Sequence, residues 1–128
     1  MPPAELDPVA AFDQACELDS TGHPDQAAPL YEAALASGEL DPYRRRRATM
    51  QLASSLRNLG RPERALELIE PEAARQSDEL DDAVAVFHAL VLADLGRERE
   101  GLALVLEALA PHLPRYRNSA TNYARDLR

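Results

Sequence analysis

The chain has 128 residues, 23 of them alanine and 20 leucine, with ten prolines, 14 arginines and no lysine. A chain of this length buries roughly two-thirds of the surface its unfolded form exposes, and Ala/Leu richness with five glycines, two phenylalanines and no tryptophan favours helices and excludes an all-β fold. A formal charge of −8 denies it the basic field that attracts phosphate backbones, so nucleic acid is not an expected partner.

Cys16 is the single cysteine and makes no internal disulfide, which suits a reducing compartment. No apolar run approaches the ~18 residues of a membrane span, and the acidic, proline-bearing first residues do not read as a secretory leader. The expectation is a soluble, cytoplasmic protein with no membrane contact. The exclusive use of arginine reads as a GC-rich coding bias.

In chain order, the first predicted helix covers about residues 8–20 and ends before Gly22. The second, 24–37, opens on Pro24 and contains Pro29, which should kink or shorten it. Asp41-Pro42 starts the third, 42–59, by supplying a side-chain cap and then a proline at the first helical position. Its first turns carry Arg44, Arg45, Arg46 and Arg47, at the end of the helix dipole that disfavours cations. Beyond Gly60 lies 62–75, with Pro71 inside it. Helices at 79–95 and 98–110 flank Gly96. A last helix, 114–127, places Tyr116, Ala120, Tyr123, Ala124 and Leu127 on one face.

Glycine sets a repeat register. Gly22, Gly60 and Gly96 stand 38 and then 36 residues apart. Seven residues before each is alanine (Ala15, Ala53, Ala89), and four before each is leucine (Leu18, Leu56, Leu92). Five residues after comes a small residue (Ala27, Ala65, Gly101), then a leucine (Leu30, Leu68, Leu104) and a larger apolar side chain (Tyr31, Ile69, Val105). Ala34 and Ala108 share a further column, which Glu72 breaks. The pattern is helix, glycine turn, helix, three times over, with small residues where paired helices approach. One such hairpin cannot bury its apolar face alone, so the units must stack. Charge alternates in blocks of similar length: −9 over residues 1–43, +4 over 44–75, −6 over 76–110 and +3 over 111–128.

These columns resemble the tetratricopeptide repeat over residues 8–110. The spacing exceeds that family's period of about 34, the aromatic favoured early in the first helix is missing, and Glu72 and Gly101 replace favoured alanines. The pattern looks like a bacterial subgroup of three-repeat chains with elongated helices. The resemblance implies an all-α, right-handed helical solenoid of three helix-turn-helix repeats, at about 8–40, 41–77 and 78–111. A capping helix at about 114–127 completes this single domain. That last helix either covers the open end of the third repeat or engages another copy.

The same resemblance implies a non-catalytic module that binds a protein or peptide in a concave groove lined by the first helix of each pair. Carried onto this register, the groove residues are Phe12, Cys16, Arg47, Met50, Ser54, Arg57, Asn58, Val86 and Leu90, a mostly apolar surface. Such a surface requires a cover. It is a peptide or helix, a second copy in a homodimer, or the protein's own closed core. The family's clamp for a C-terminal carboxylate does not match, because Phe12 and Cys16 occupy places where it needs polar or cationic groups. Arg47, Arg57 and Asn58 retain the chemistry to hold one carboxylate.

Arginines 44–47 require acidic company. Repeat stacking offers Asp78, Glu79, Asp81 and Asp82 from one side and Glu5 and Asp7 from the other; the alternative is docking of an acidic partner. His23, His88 and His112 share no metal-ligand spacing, no glycine-rich phosphate loop is present, and Cys16 has no activating base nearby. No metal, cofactor or catalysis is expected.

Overall fold

A computed structural model describes residues 7–75 and 78–128. Among them it contains seven α-helices and no strand: α1 Pro8–Ser20, α2 Pro24–Ala36, α3 Pro42–Asn58, α4 Pro62–Ala73, α5 Asp81–Asp94, α6 Glu98–Leu109 and α7 Arg117–Asp126, with a 3₁₀ turn at Ala110–His112. The all-helical, helix-turn-helix architecture is the one expected.

The glycine register has a single physical basis. After α1, the His23 N–H donates to the Leu18 carbonyl at 2.8 Å and the Gly22 N–H to Asp19 at 3.1 Å. After α3, Arg61 donates to Leu56 at 2.9 Å and Gly60 to Arg57 at 3.0 Å; after α5, Arg97 donates to Leu92 at 2.9 Å and Gly96 to Ala93 at 3.1 Å. This is one Schellman cap used three times. Gly22, Gly60 and Gly96 hold φ of 83°, 79° and 78°, where a side chain is disfavoured. The leucine column is thus also the column whose carbonyl closes each cap.

Helix starts use the expected chemistry at two places. Asp7 and Asp41 accept from the N–H groups of Ala10 and Arg44 at 2.8 and 3.1 Å, and Pro8 and Pro42 follow them. The two prolines expected to kink or shorten their helices behave differently. α2 runs through Pro29 to Ala36, with the ring on an exposed position clear of the packed face. Pro71 sits in the last turn of α4, which ends at Ala73 instead of reaching 75.

The chain divides into two compact units, one ending at Leu68 and the other beginning at Ile69, so the boundary falls inside α4. In the first, α2 packs on both α1 and α3. Ala15, Ala27 and Ala53 are wholly buried, which allows helices to approach closely, and Phe12 and Tyr31 fill the space with ring centroids 6.0 Å apart. α3 is enclosed on most of its circumference, with Arg46, Thr49 and Ser55 buried beside Leu52 and Leu56.

In the second unit α5 packs on α6, and α6 on α7. Gly101 explains its own departure from the alanine column, because a Cβ there would meet the Ala89 carbonyl oxygen at 2.8 Å. Glu72, the other departure, is buried and ion-paired with Arg75. α7 is shorter than expected. It begins after Tyr116, whose φ is 71°, and buries Ala124 while leaving Tyr116 and Tyr123 exposed. Small residues, not the tyrosines, seat this helix.

Candidate functional site

The first unit contains an open groove of about 620 Å³ lined by Asp13, Cys16, Glu17, Asp19, Ser20, Arg47 and Gln51. Four of these, Asp13, Cys16, Glu17 and Ser20, recur at i, i+3, i+4 and i+7 on α1, which places them in one stripe. Arg47 and Gln51 are four apart on α3 and form the facing wall.

The groove is built on buried groups. The Tyr31 hydroxyl comes up from α2, donating to Asp19 Oδ2 at 3.1 Å and accepting from Gln51 Nε2 at 2.6 Å. Gln51 Nε2 also approaches Cys16 Sγ at 3.4 Å. Burial, followed by the negative charge of Asp19, pushes the Tyr31 pKa well above the ordinary phenol range, so its proton stays in place to orient Asp19 and Gln51. The Arg47 guanidinium lies 5.0 Å from the Phe12 ring centroid and 5.9 Å from that of Tyr43. Aromatic faces hold this cation, and among the described residues no carboxylate pairs with it. Asp13 and Glu17 likewise have no ion-pair partner among the described residues. The groove therefore presents anchored polar groups, two carboxylates outside any ion pair among the described residues, and one guanidinium held on aromatic faces.

The expected binding residues are distributed differently from their predicted roles. Cys16 and Arg47 do line the groove together. Phe12 and Met50 are only 1% and 6% exposed. Both are core side chains in this conformation, which is why the groove is polar where an apolar surface was expected. Ser54 and Arg57 are half-buried farther along α3, and Asn58 is exposed at its end. Val86 and Leu90 are exposed on α5, in the second unit, and belong to its description.

Among the four consecutive arginines, Arg44 pairs at 2.9 Å with Asp41, the cap of its own helix, and holds that carboxyl below its ordinary range. Arg45 and Arg46 are half-buried and buried, and both have interaction partners. Of the acids expected to neutralise this run, Glu5 lies outside the described residues and Asp7 caps α1. Asp82 pairs with His112 at 3.0 Å.

Asp13, Glu17, Gln51 and the supporting Tyr31 were not among the residues expected in the groove. The i, i+4 acids on α1 were visible in the sequence. The Tyr31 contribution was not, because it depends on how α2 packs. Among the described residues no group of three or more His, Cys, Asp or Glu is arranged to hold a metal, and no helix is long and apolar enough to cross a membrane.

Repeated helix-turn-helix units, each closed by the same glycine cap, define a helical-repeat protein. The family model described as a tetratrico peptide repeat matches residues 8–127. The chain belongs to the tetratricopeptide repeat family, a family of repeat modules that generally mediate protein–protein interaction. No curated protein and no solved structure matches the chain.

Proposed function

We propose that this protein is a non-catalytic interaction module that binds a peptide or helix along the α1/α3 groove. The observation that carries the reading is the coexistence there of fixed polar groups and charges that form no ion pair among the described residues. Asp19 and Gln51 are held by Tyr31, whereas Asp13, Glu17 and Arg47 have no ion-pair partners among the described residues. Unpaired charges lining a preformed concavity favour an oppositely charged ligand and repel the wrong one. The groove carries three acids against one arginine, so the favoured ligand has a net positive charge with one acceptor or aromatic group for Arg47.

Panning a displayed peptide library on the protein, with counter-selection on an Asp13→Arg/Glu17→Arg variant, tests this reading. Enrichment of basic peptides that bind the protein at least about tenfold more tightly than the variant is the expected result. Peptides that bind both equally would place the binding face elsewhere.

A second reading, self-association through an apolar face, is favoured by Val86 and Leu90. They lie four residues apart on α5 and remain 45% and 38% exposed. Under that reading Val86→Glu/Leu90→Glu abolishes a dimer seen by light scattering and leaves peptide binding at the groove intact.

A further inference from the structure

The most exposed large hydrophobic side chains described are Tyr116 and Tyr123, at 75% and 70%. Both belong to the C-terminal segment, where α7 is fastened to α6: Ala124 is wholly buried, and Arg128 makes a bidentate pair with Glu107 at 3.0 and 2.7 Å. The helix is therefore an ordered part of its unit that still turns two aromatic rings toward solvent. Tyr116 is also the one non-glycine residue described with positive φ, a conformation that costs an L residue free energy. Its own packing does not offset that cost, given its exposure.

The charge of this segment is opposite to that of the groove. Residues 111–128 carry four arginines against Asp126, whereas residues 1–43 carry nine acids and neither lysine nor arginine. Arg117 is tied to the Leu113 carbonyl and Arg128 to Glu107, which leaves Arg115 and Arg125 exposed. Lengths agree as well. The ten residues of α7 span ~15 Å, within the ~20 Å of the thirteen-residue α1.

Resting on the groove reading above, we infer that the occupant of the α1/α3 groove is the C-terminal segment of a second copy of this chain. Tyr116 and Tyr123, seven residues apart and so on one face, meet the α1 wall of Asp13 and Glu17, and Arg115 and Arg125 supply the opposite charge around that contact. A single helix laid into one groove is a small interface, so association is weak, with Kd about 10–100 μM, and sensitive to salt.

Sedimentation equilibrium of the full chain tests this with two charge-reversed variants, Asp13→Arg/Glu17→Arg and Arg115→Glu/Arg125→Glu. All four positions are exposed, and a circular dichroism melt checks each fold. Should either variant fail that check, Asp13→Asn/Glu17→Gln or Arg115→Gln/Arg125→Gln takes its place and must weaken association alone. The expected result is an average mass above the 14.1 kDa monomer for the natural sequence, falling as salt rises. Each reversed variant remains monomeric, and an equimolar mixture of the two associates, because each groove then meets a complementary segment in the other variant. A natural sequence that stays monomeric at about 300 μM overturns the inference. So does association of either variant at wild-type strength, or a mixture that stays monomeric. A monomeric protein whose groove still selects basic peptides removes this occupant alone and leaves the groove reading standing.

Discussion

Tyr31 concentrates the chemistry of the groove in one side chain. Its ring fills the core against Phe12 while its hydroxyl reaches the groove to hold Asp19 and Gln51. Removing only that oxygen separates the two roles. Tyr31→Phe should cost about 1 kcal/mol in urea denaturation, the net value of a buried hydrogen bond. It should weaken peptide binding further by freeing Asp19. Unchanged affinity would mean that the orientation of Asp19 and Gln51 contributes nothing to recognition.

His88 supplies a pH prediction. It is buried in α5 with Nδ1 unpartnered, and burial holds its pKa below the ordinary histidine value. Arg97 and Arg128 act in the same direction, whereas Glu70 and Glu100 oppose them. The unfolded chain therefore takes up this proton first as pH falls. The histidine's contribution is fully present above the ordinary histidine pKa and is lost progressively below it. Between about pH 7.5 and 5.5 the Tm of the natural protein should fall more than that of His88→Gln. Parallel curves would contradict the assignment.

At the scale of the element, two kinds of glycine predict two kinds of damage. Gly60 has open space around its missing Cβ but a φ of 79°, so Gly60→Ala costs about 1–2 kcal/mol of backbone strain. Gly101 is helical, where alanine would ordinarily gain about 1 kcal/mol, but its Cβ would collide with backbone. Gly101→Ala should destabilise by about 1–3 kcal/mol through forced separation of α5 and α6. Thermal melts of the two variants check both values, and a stabilised Gly101→Ala would refute the close-approach argument.

Elements were the most legible level of the sequence. The turn glycines, the alanine column and Asp41-Pro42 each have a local cause that a sequence displays directly. α7 was legible only in part. Its periodic face mixes small residues with tyrosines, and periodicity cannot say that Ala124 packs while Tyr123 does not.

Across the whole molecule, the expected groove mixed residues with different fates. Register alone cannot distinguish a position that lines a groove from its neighbour that fills the core beneath, and α3 is so thoroughly enclosed that Met50 falls on the inner side. Phe12 is drawn inward by Tyr31, a partner 19 residues away in sequence. What lines the groove is Cys16 with Arg47 among the carboxylates of α1. The block pattern of charge, by contrast, was legible from the start, and the acidic first block supplies Asp13, Glu17 and Asp19 to the groove.

Cys16 makes the central claim directly measurable, since it is the only thiol in the chain and lines the groove. Its alkylation rate by iodoacetamide, followed by mass spectrometry with and without a saturating library-selected peptide, reports occupancy at the site itself. The account predicts protection of at least about tenfold that disappears in Asp13→Arg/Glu17→Arg. An alkylation rate unchanged by a peptide that demonstrably binds would contradict it.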